Sequence, residues 1–200
     1  GELTLRTLCW SLGTGLLAML LGWLPGQVLG TCLAVRRQGR FSFGWPLAMS
    51  AMLIPLLIPA YAIFYSWWQT WPADSWLFQF LVDREAVGLG RLFTLGLALV
   101  GWSWPLVSLC VAPASSTWPR IRSEQLRTDG ASWWSCAVAR LHHEIGGLLL
   151  GGLLVSSLVF GNVICFDLAG VFTIGNELRA LSAVQAAPMT MAWIALPAVI

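Results

Sequence analysis

The sequence predicts an all-α membrane protein, a bundle of about five transmembrane helices with its N-terminus outside. Three observations predict it. Hydrophobic residues make up 58% of the 200, only 10% are charged, and the mean hydropathy is +0.75, whereas soluble domains carry about 25% charged residues. The charges are clustered, leaving uncharged runs as long as the roughly 20 apolar residues that cross hydrocarbon. Backbone in lipid must satisfy its own hydrogen bonds, which a helix does internally. No stretch alternates with period two over strand lengths, as a membrane barrel would.

The elements follow in order. Span one is expected within Thr7 to Val35, and Arg36, Arg37 and Arg40 form a short basic loop after it. Span two is expected within Phe41 to Trp71, with kinks at Pro46, Pro55 or Pro59. A polar segment, Pro72 to Arg91, carries Asp74, Asp83, Arg84 and Glu85. Span three is expected within Leu92 to Trp118 around Pro105 and Pro113, and the longest polar stretch, Pro119 to Glu144, follows it. Span four is expected within Ile145 to Phe166, a loop from Asp167 to Arg179, and span five from Ala180 onward. The chain opens on Gly1 rather than Met and stops inside an apolar run, so it reads as a single transmembrane domain, 1–200, cut from a longer protein with its last helix truncated. Arg6 before a long apolar run imitates a signal peptide, but the run is too long and lacks a cleavage site.

Orientation follows from the arginines, which favour cytoplasmic loops. Seven of the eleven lie in the 36–40 and 119–144 loops (Arg36, Arg37, Arg40, Arg120, Arg122, Arg127, Arg140), against three acids, Glu124, Asp129 and Glu144. The opposite side holds four Arg and six acids. The 119–144 loop is therefore expected inside. Trp67, Trp68, Trp71 and Trp76 then fall at the outer interface, where Trp anchors helices. Gly22, Gly26 and Gly30, and again Gly147 and Gly151, repeat every fourth residue, a spacing that lets helix backbones approach.

Composition excludes several chemistries. All eleven basic residues are Arg. Without Lys there is neither a Walker A loop nor a Schiff base, so any ATP used is bound by another subunit. Cys9, Cys32, Cys110, Cys136 and Cys165 are scattered with no CxxC and read as small hydrophobes. His142 and His143 are adjacent and point about 100° apart on a helix, a poor metal pair. An intramembrane protease would need a paired nucleophile and base, and there is no Gly-x-Ser-x-Gly. A secondary transporter would need midplane charges or broken helices, and no acid or base sits at the centre of an uncharged run. A membrane scaffold stays open on these grounds.

The informative segment is the 119–144 loop. Ser123 is a plausible N-cap, Gly130 reads as a break between helical pieces, and Trp133 and Trp134 are large aromatics suited to the lipid interface or to a groove on a partner. Glu124 is followed by Gln125, Leu126, three residues and Gly130, and Asp129-Gly130-Ala131-Ser132-x-Trp134 completes the stretch. This pattern resembles the cytoplasmic loop of type I ABC importer permeases, the binding-protein-dependent membrane subunits, where Glu-Ala-Ala, three residues and Gly are usual and Asp-Gly-Ala-Ser-x-Trp recurs. Gln125 and Leu126 replace the two Ala, and Arg140, His142 and His143 stand where the family has Ile, Leu and Pro. The resemblance extends to Thr4-Leu5-Arg6-Thr7-Leu8, to Ala34-Val35-Arg36-Arg37 and to Pro55-Leu-Leu-Ile-Pro59-Ala-Tyr61. The segment from Asp167 to Glu177 is similar to the ferric-iron permeases, with thiamine and polyamine permeases as neighbours.

The resemblance implies a permease subunit of the bacterial inner membrane, not an enzyme itself. It implies an ATPase subunit that binds the ATP, a periplasmic substrate-binding protein, and a second permease domain as homodimer or fused half. Ferric iron is the candidate substrate, and no nucleic-acid partner, catalytic residue, resident cofactor or metal ligand is expected. Glu124, Arg127, Asp129, Gly130, Ala131 and Trp134 would contact the ATPase. Asn162 and Asp167, near the outer end of span four, are candidates for the substrate pathway, against the simpler readings of an interhelical hydrogen bond and a solvated helix end.

Overall fold

The computed structural model describes residues 2–37, 44–71, 74–118, 124–126 and 128–183. Every regular element among them is helical, with no strand. The helices are α1 (Glu2–Arg37), α2 (Gly44–Leu57), α3 (Ala60–Gln69), α4 (Trp76–Asp83), α5 (Val87–Ser116), α6 (Trp133–Phe160), α7 (Val163–Ala169) and α8 (Ile174–Ala183). Three of these, α1, α5 and α6, are long and apolar enough to cross a membrane. Helices α2 and α3 pass the same test only together, as a pair sharply bent at its break, so the described residues hold three candidate spans or up to four.

Several boundaries differ from expectation: α1 takes in Arg36 and Arg37 of the expected basic loop, and the expected polar segment 72–91 holds α4 and the first turn of α5. Span two is two helices, because Pro59 disfavours helical backbone at Ile58 and lacks the N–H to continue the ladder. Helix α6 begins at Trp133 rather than Ile145, so the last part of the expected 119–144 loop is the start of a candidate span. Ser132 explains the early start: its Oγ accepts from the Ser135 N–H and its carbonyl from the Cys136 N–H, an N-cap ahead of a good helical sequence. Beyond α6, the expected 167–179 loop holds α8 and the end of α7, separated by Gly170 at φ 72. The Val171 N–H returns to the Phe166 carbonyl and the Gly170 N–H to that of Asp167, a Schellman stop that needs left-handed backbone. Most of expected span five, along with Arg40, Arg120, Arg122, Ser123 and Arg127, lies outside the described residues.

The chain divides into two compact units. The first comprises 1–14, 58–102 and 156–200. There Phe64, Leu95, Leu99, Phe166 and Ile174 are buried, α3 packs on α7 and α7 on α8. Trp10 meets the edge of Phe166 at 6.3 Å. Buried Thr7 donates to the Leu3 carbonyl and accepts from the Ile174 N–H, tying the start of α1 to α8. Two tryptophans of the expected aromatic belt pack together: Trp68 stacks on Trp71 at 6.2 Å, meets Phe78 edge-on, and takes the Arg91 guanidinium over its face at 5.3 Å, while Trp67 is 48% exposed. Trp76 remains largely exposed.

The second unit comprises 15–57 and 103–155. Both glycine series face α5. A Cβ on Gly22 would lie 2.7 Å from the Trp104 carbonyl, one on Gly30 2.6 Å from Ser115 Cβ, and one on Gly147 2.6 Å from the Cys110 carbonyl. Only a hydrogen in place of a side chain permits this approach. The Ser108 Oγ also donates across to the Gly22 carbonyl at 2.9 Å. Leu29, Met52 and Ala112 form a core cluster that joins α1, α2 and α5.

Candidate functional site

Residues 124–126 and 128–134 form a helical turn, a left-handed stop and a capped helix start. Residues 124–126 are helical. The Asp129 N–H bonds the Gln125 carbonyl at 2.8 Å and the Ala131 N–H reaches back five residues to the Leu126 carbonyl at 2.9 Å. Gly130 sits between them at φ 75, with no atom of the described residues within 4 Å of its missing Cβ. This is the Schellman geometry, and a left-handed residue costs an L-amino acid about 1–2 kcal/mol. Gly130 is thus the break the sequence suggested. Glu124, Asp129 and Gly130 are exposed, Ala131 is half-buried, and Trp134 is 69% exposed beside Trp133 at 71%. The two indoles meet edge to face at 4.5 Å. Five of the six residues singled out for ATPase contact therefore share one exposed turn; Arg127 lies outside the described residues.

Behind that turn is a cavity of about 400 Å³. Its walls include Trp23 and Gln27 of α1, Trp118, Leu126, Trp134 and Arg140. Next to it lies a polar junction that the sequence reading missed. Glu144 has no exposed surface. Its Oε2 accepts from Trp23 Nε1 at 2.6 Å and Gln27 Nε2 at 3.0 Å, and its Oε1 from Arg140 Nε at 3.1 Å. Arg140 also donates through NH2 to Ser115 Oγ at 3.0 Å. A buried carboxylate is tolerated only when paired and hydrogen-bonded, as this one is. The sequence pattern places it among the acids of the 119–144 loop, whereas the early start of α6 puts it inside a helix. A signal was present: Trp23 and Gln27, and likewise Arg140 and Glu144, are spaced i,i+4 on helical faces.

Two of the positions that depart from the permease pattern, Arg140 and His143, have internal partners. Besides the Arg140 pair, the His143 Nε2 lies 3.1 Å from the Ala114 carbonyl and 3.2 Å from Thr117 Oγ1. A carbonyl only accepts, so Nε2 carries the proton toward it. The ring also packs edge-on to Trp118 at 5.2 Å, while His142 is exposed.

The two pathway candidates lie at α7. Asn162 is the N-cap of that helix, its Oδ1 accepting from the Cys165 N–H at 3.4 Å. Asp167, about half-exposed, accepts from Asn176 Nδ2 at 2.6 Å and Arg179 NH1 at 3.1 Å. The Asn176 Oδ1 in turn accepts from both the N–H and the Oγ1 of Thr173. These contacts tie the segment after α6 to α8. Among the described residues no three His, Cys, Asp or Glu side chains converge as metal ligands would.

No protein-family model, curated protein or solved structure matches this chain.

Proposed function

We propose that the chain is a membrane-spanning permease subunit of an ATP-driven importer. The observation that carries the proposal is the 124–134 segment. The sequence there resembles the family's coupling loop, and its geometry is an exposed turn held by Gly130, with Trp134 projecting beside it. Such a knob suits a groove on a partner, because exposed aromatics on a rigid base make good anchors.

In this reading the segment is cytoplasmic, the N-terminus is outside, and the complete domain has five spans. A separate ATPase binds ATP and takes the Glu124 to Trp134 turn in its groove. A periplasmic binding protein delivers substrate, with ferric iron the candidate, and a second permease domain completes the pathway across the bacterial inner membrane. Closure of the ATPase would shift the bundle between two packed states. Chemistry on ATP belongs to the partner, and this subunit contributes motion alone. The secondary-transporter reading draws on buried Glu144, but three donors already occupy that carboxylate.

The test is co-purification of the full-length chain with the ATPase encoded beside it, for wild type, Gly130→Asp and Gly130→Asn. Asn tolerates left-handed backbone and adds no charge, so it should retain the ATPase and uptake. Gly130→Asp adds a charge beside Asp129 and should lose coupling with membrane insertion intact. Normal uptake in Gly130→Asp, or no ATPase bound to wild type, would refute the proposal.

A further inference from the structure

Among the residues whose burial is described Glu144 is the only charged side chain with its surface buried, and ionisable groups held inside spans mark functional positions. Its connections are directional. One oxygen takes two donors a turn apart on α1, and the other takes Arg140, whose second nitrogen reaches Ser115 near the end of α5. Through one carboxylate, three helices share a register. His143, one residue away, adds its own tie to the last turn of α5.

A buried ion pair is seldom needed for stability alone, since apolar side chains of the same volume serve as well; register and switching are its best-attested roles. The placement suits such a role. Continuous helix runs from Trp133, at the edge of the exposed turn, to Glu144, about 16 Å along the axis. A helix of that length moves as a rigid lever. Turning it must either carry Trp23 and Gln27 with it or break both hydrogen bonds that the carboxylate takes from α1.

From this geometry we infer that Glu144 is the positioning residue that passes displacement of the 124–134 segment to α1 and α5. The inference rests on the permease reading for what drives the displacement. The tie itself is independent of that reading. Only an acceptor with two oxygens and no proton of its own satisfies donors on both sides. In Glu144→Gln the shape is kept, but one side meets an NH2 group, so either Arg140 or the α1 pair is released. Trp23→Phe is the complementary variant. It keeps an aromatic ring and the carboxylate, and removes one donor.

The experiment uses the full-length chain in lipid nanodiscs, first alone and then with its ATPase. Hydrogen exchange is read over residues 24–31 of α1 and 137–144 of α6. Glu144→Gln should speed exchange in both stretches together by at least tenfold, and Trp23→Phe should speed the α1 stretch. With the ATPase present, Glu144→Gln should lower substrate moved per ATP at least tenfold, with the ATPase rate within twofold of wild type. A purely structural role would lower protein yield and leave that ratio unchanged. Unchanged exchange in both variants, or an α1 stretch that Trp23→Phe leaves as slow as wild type, overturns the tie. Altered exchange with an undiminished transport ratio overturns the transmission role. A wild-type chain that binds no ATPase, with the exchange result intact, supports the tie and overturns both its part in coupling and the permease reading.

Discussion

Gly26→Ala tests the packing of the second unit most directly. A Cβ at that position would lie 2.9 Å from Val111 Cβ and 3.0 Å from both Val111 Cγ1 and the Ser108 carbonyl. Carbon atoms prefer about 3.5–4.0 Å, so α1 and α5 must part by roughly 0.6–1 Å there. The shift spreads along both helices. It loosens the contacts at Gly22 and Gly30 and stretches the 2.9 Å bond from Ser108 to the Gly22 carbonyl beyond hydrogen-bonding range. Overpacking of this kind costs about 1–3 kcal/mol, and a lost interhelical hydrogen bond in a membrane protein about 0.6–1 kcal/mol. The sum, about 2–4 kcal/mol, is a change of roughly 25- to 700-fold in the folding equilibrium. Gly13→Ala on the same helix is the control, since no atom of the described residues lies within 4 Å of its Cβ position. It should be neutral or gain up to about 1 kcal/mol from helix propensity. The assay is reversible unfolding of the full chain in mixed micelles titrated with SDS. Equal stability of the two variants would show that Gly26 does not face α5, and the argument would fail.

Other outcomes follow from local geometry. Glu85 ends α4 at φ 54, with the Ala86 N–H bonded back to the Leu81 carbonyl; Glu85→Gly should raise stability by up to about 1 kcal/mol, read as a higher midpoint in the same titration. Gly170→Ala should do the reverse, losing about 1–2 kcal/mol, because φ there is 72. Ser132→Ala removes the N-cap of α6 and should cost about 1 kcal/mol, with hydrogen exchange faster at residues 133–136. Arg179→Ala breaks an ion pair between exposed groups and should change stability by less than about 1 kcal/mol; a larger loss would give the Asp167, Asn176 and Arg179 contacts more weight than solvent screening allows.

Much of the helical architecture was legible along the chain, because hydropathy over some 20 residues is a local property. The apolar runs of α1, α5 and the later part of α6 announced themselves, and Gly130 declared its turn through the residue type that left-handed backbone favours. Helix ends were harder. The hydropathy of Trp133 to Glu144 is that of a loop, yet Ser132 caps it and Glu144 finds donors, so the helix extends through it. Span two read as continuous apolar sequence, while Pro59 and its effect on Ile58 divide it. The pathway candidates Asn162 and Asp167 were visible as polar residues near a span end, but their partners at Cys165, Asn176 and Arg179 depend on how the chain turns at Gly170.

The sequence by itself determined that this is a helical, membrane-type chain without Lys, CxxC or a hydrolase motif, and that its polar 124–134 stretch is the segment to examine. These follow from composition and near-neighbour spacing, which no tertiary contact can alter. Only the tertiary structure decided which helix the glycine stripes face and that an apparent loop acid is a buried junction. Glu144 meets donors 117 and 121 residues away. Pairings at that separation are set by packing of whole helices, and a one-dimensional pattern carries no information on which faces meet.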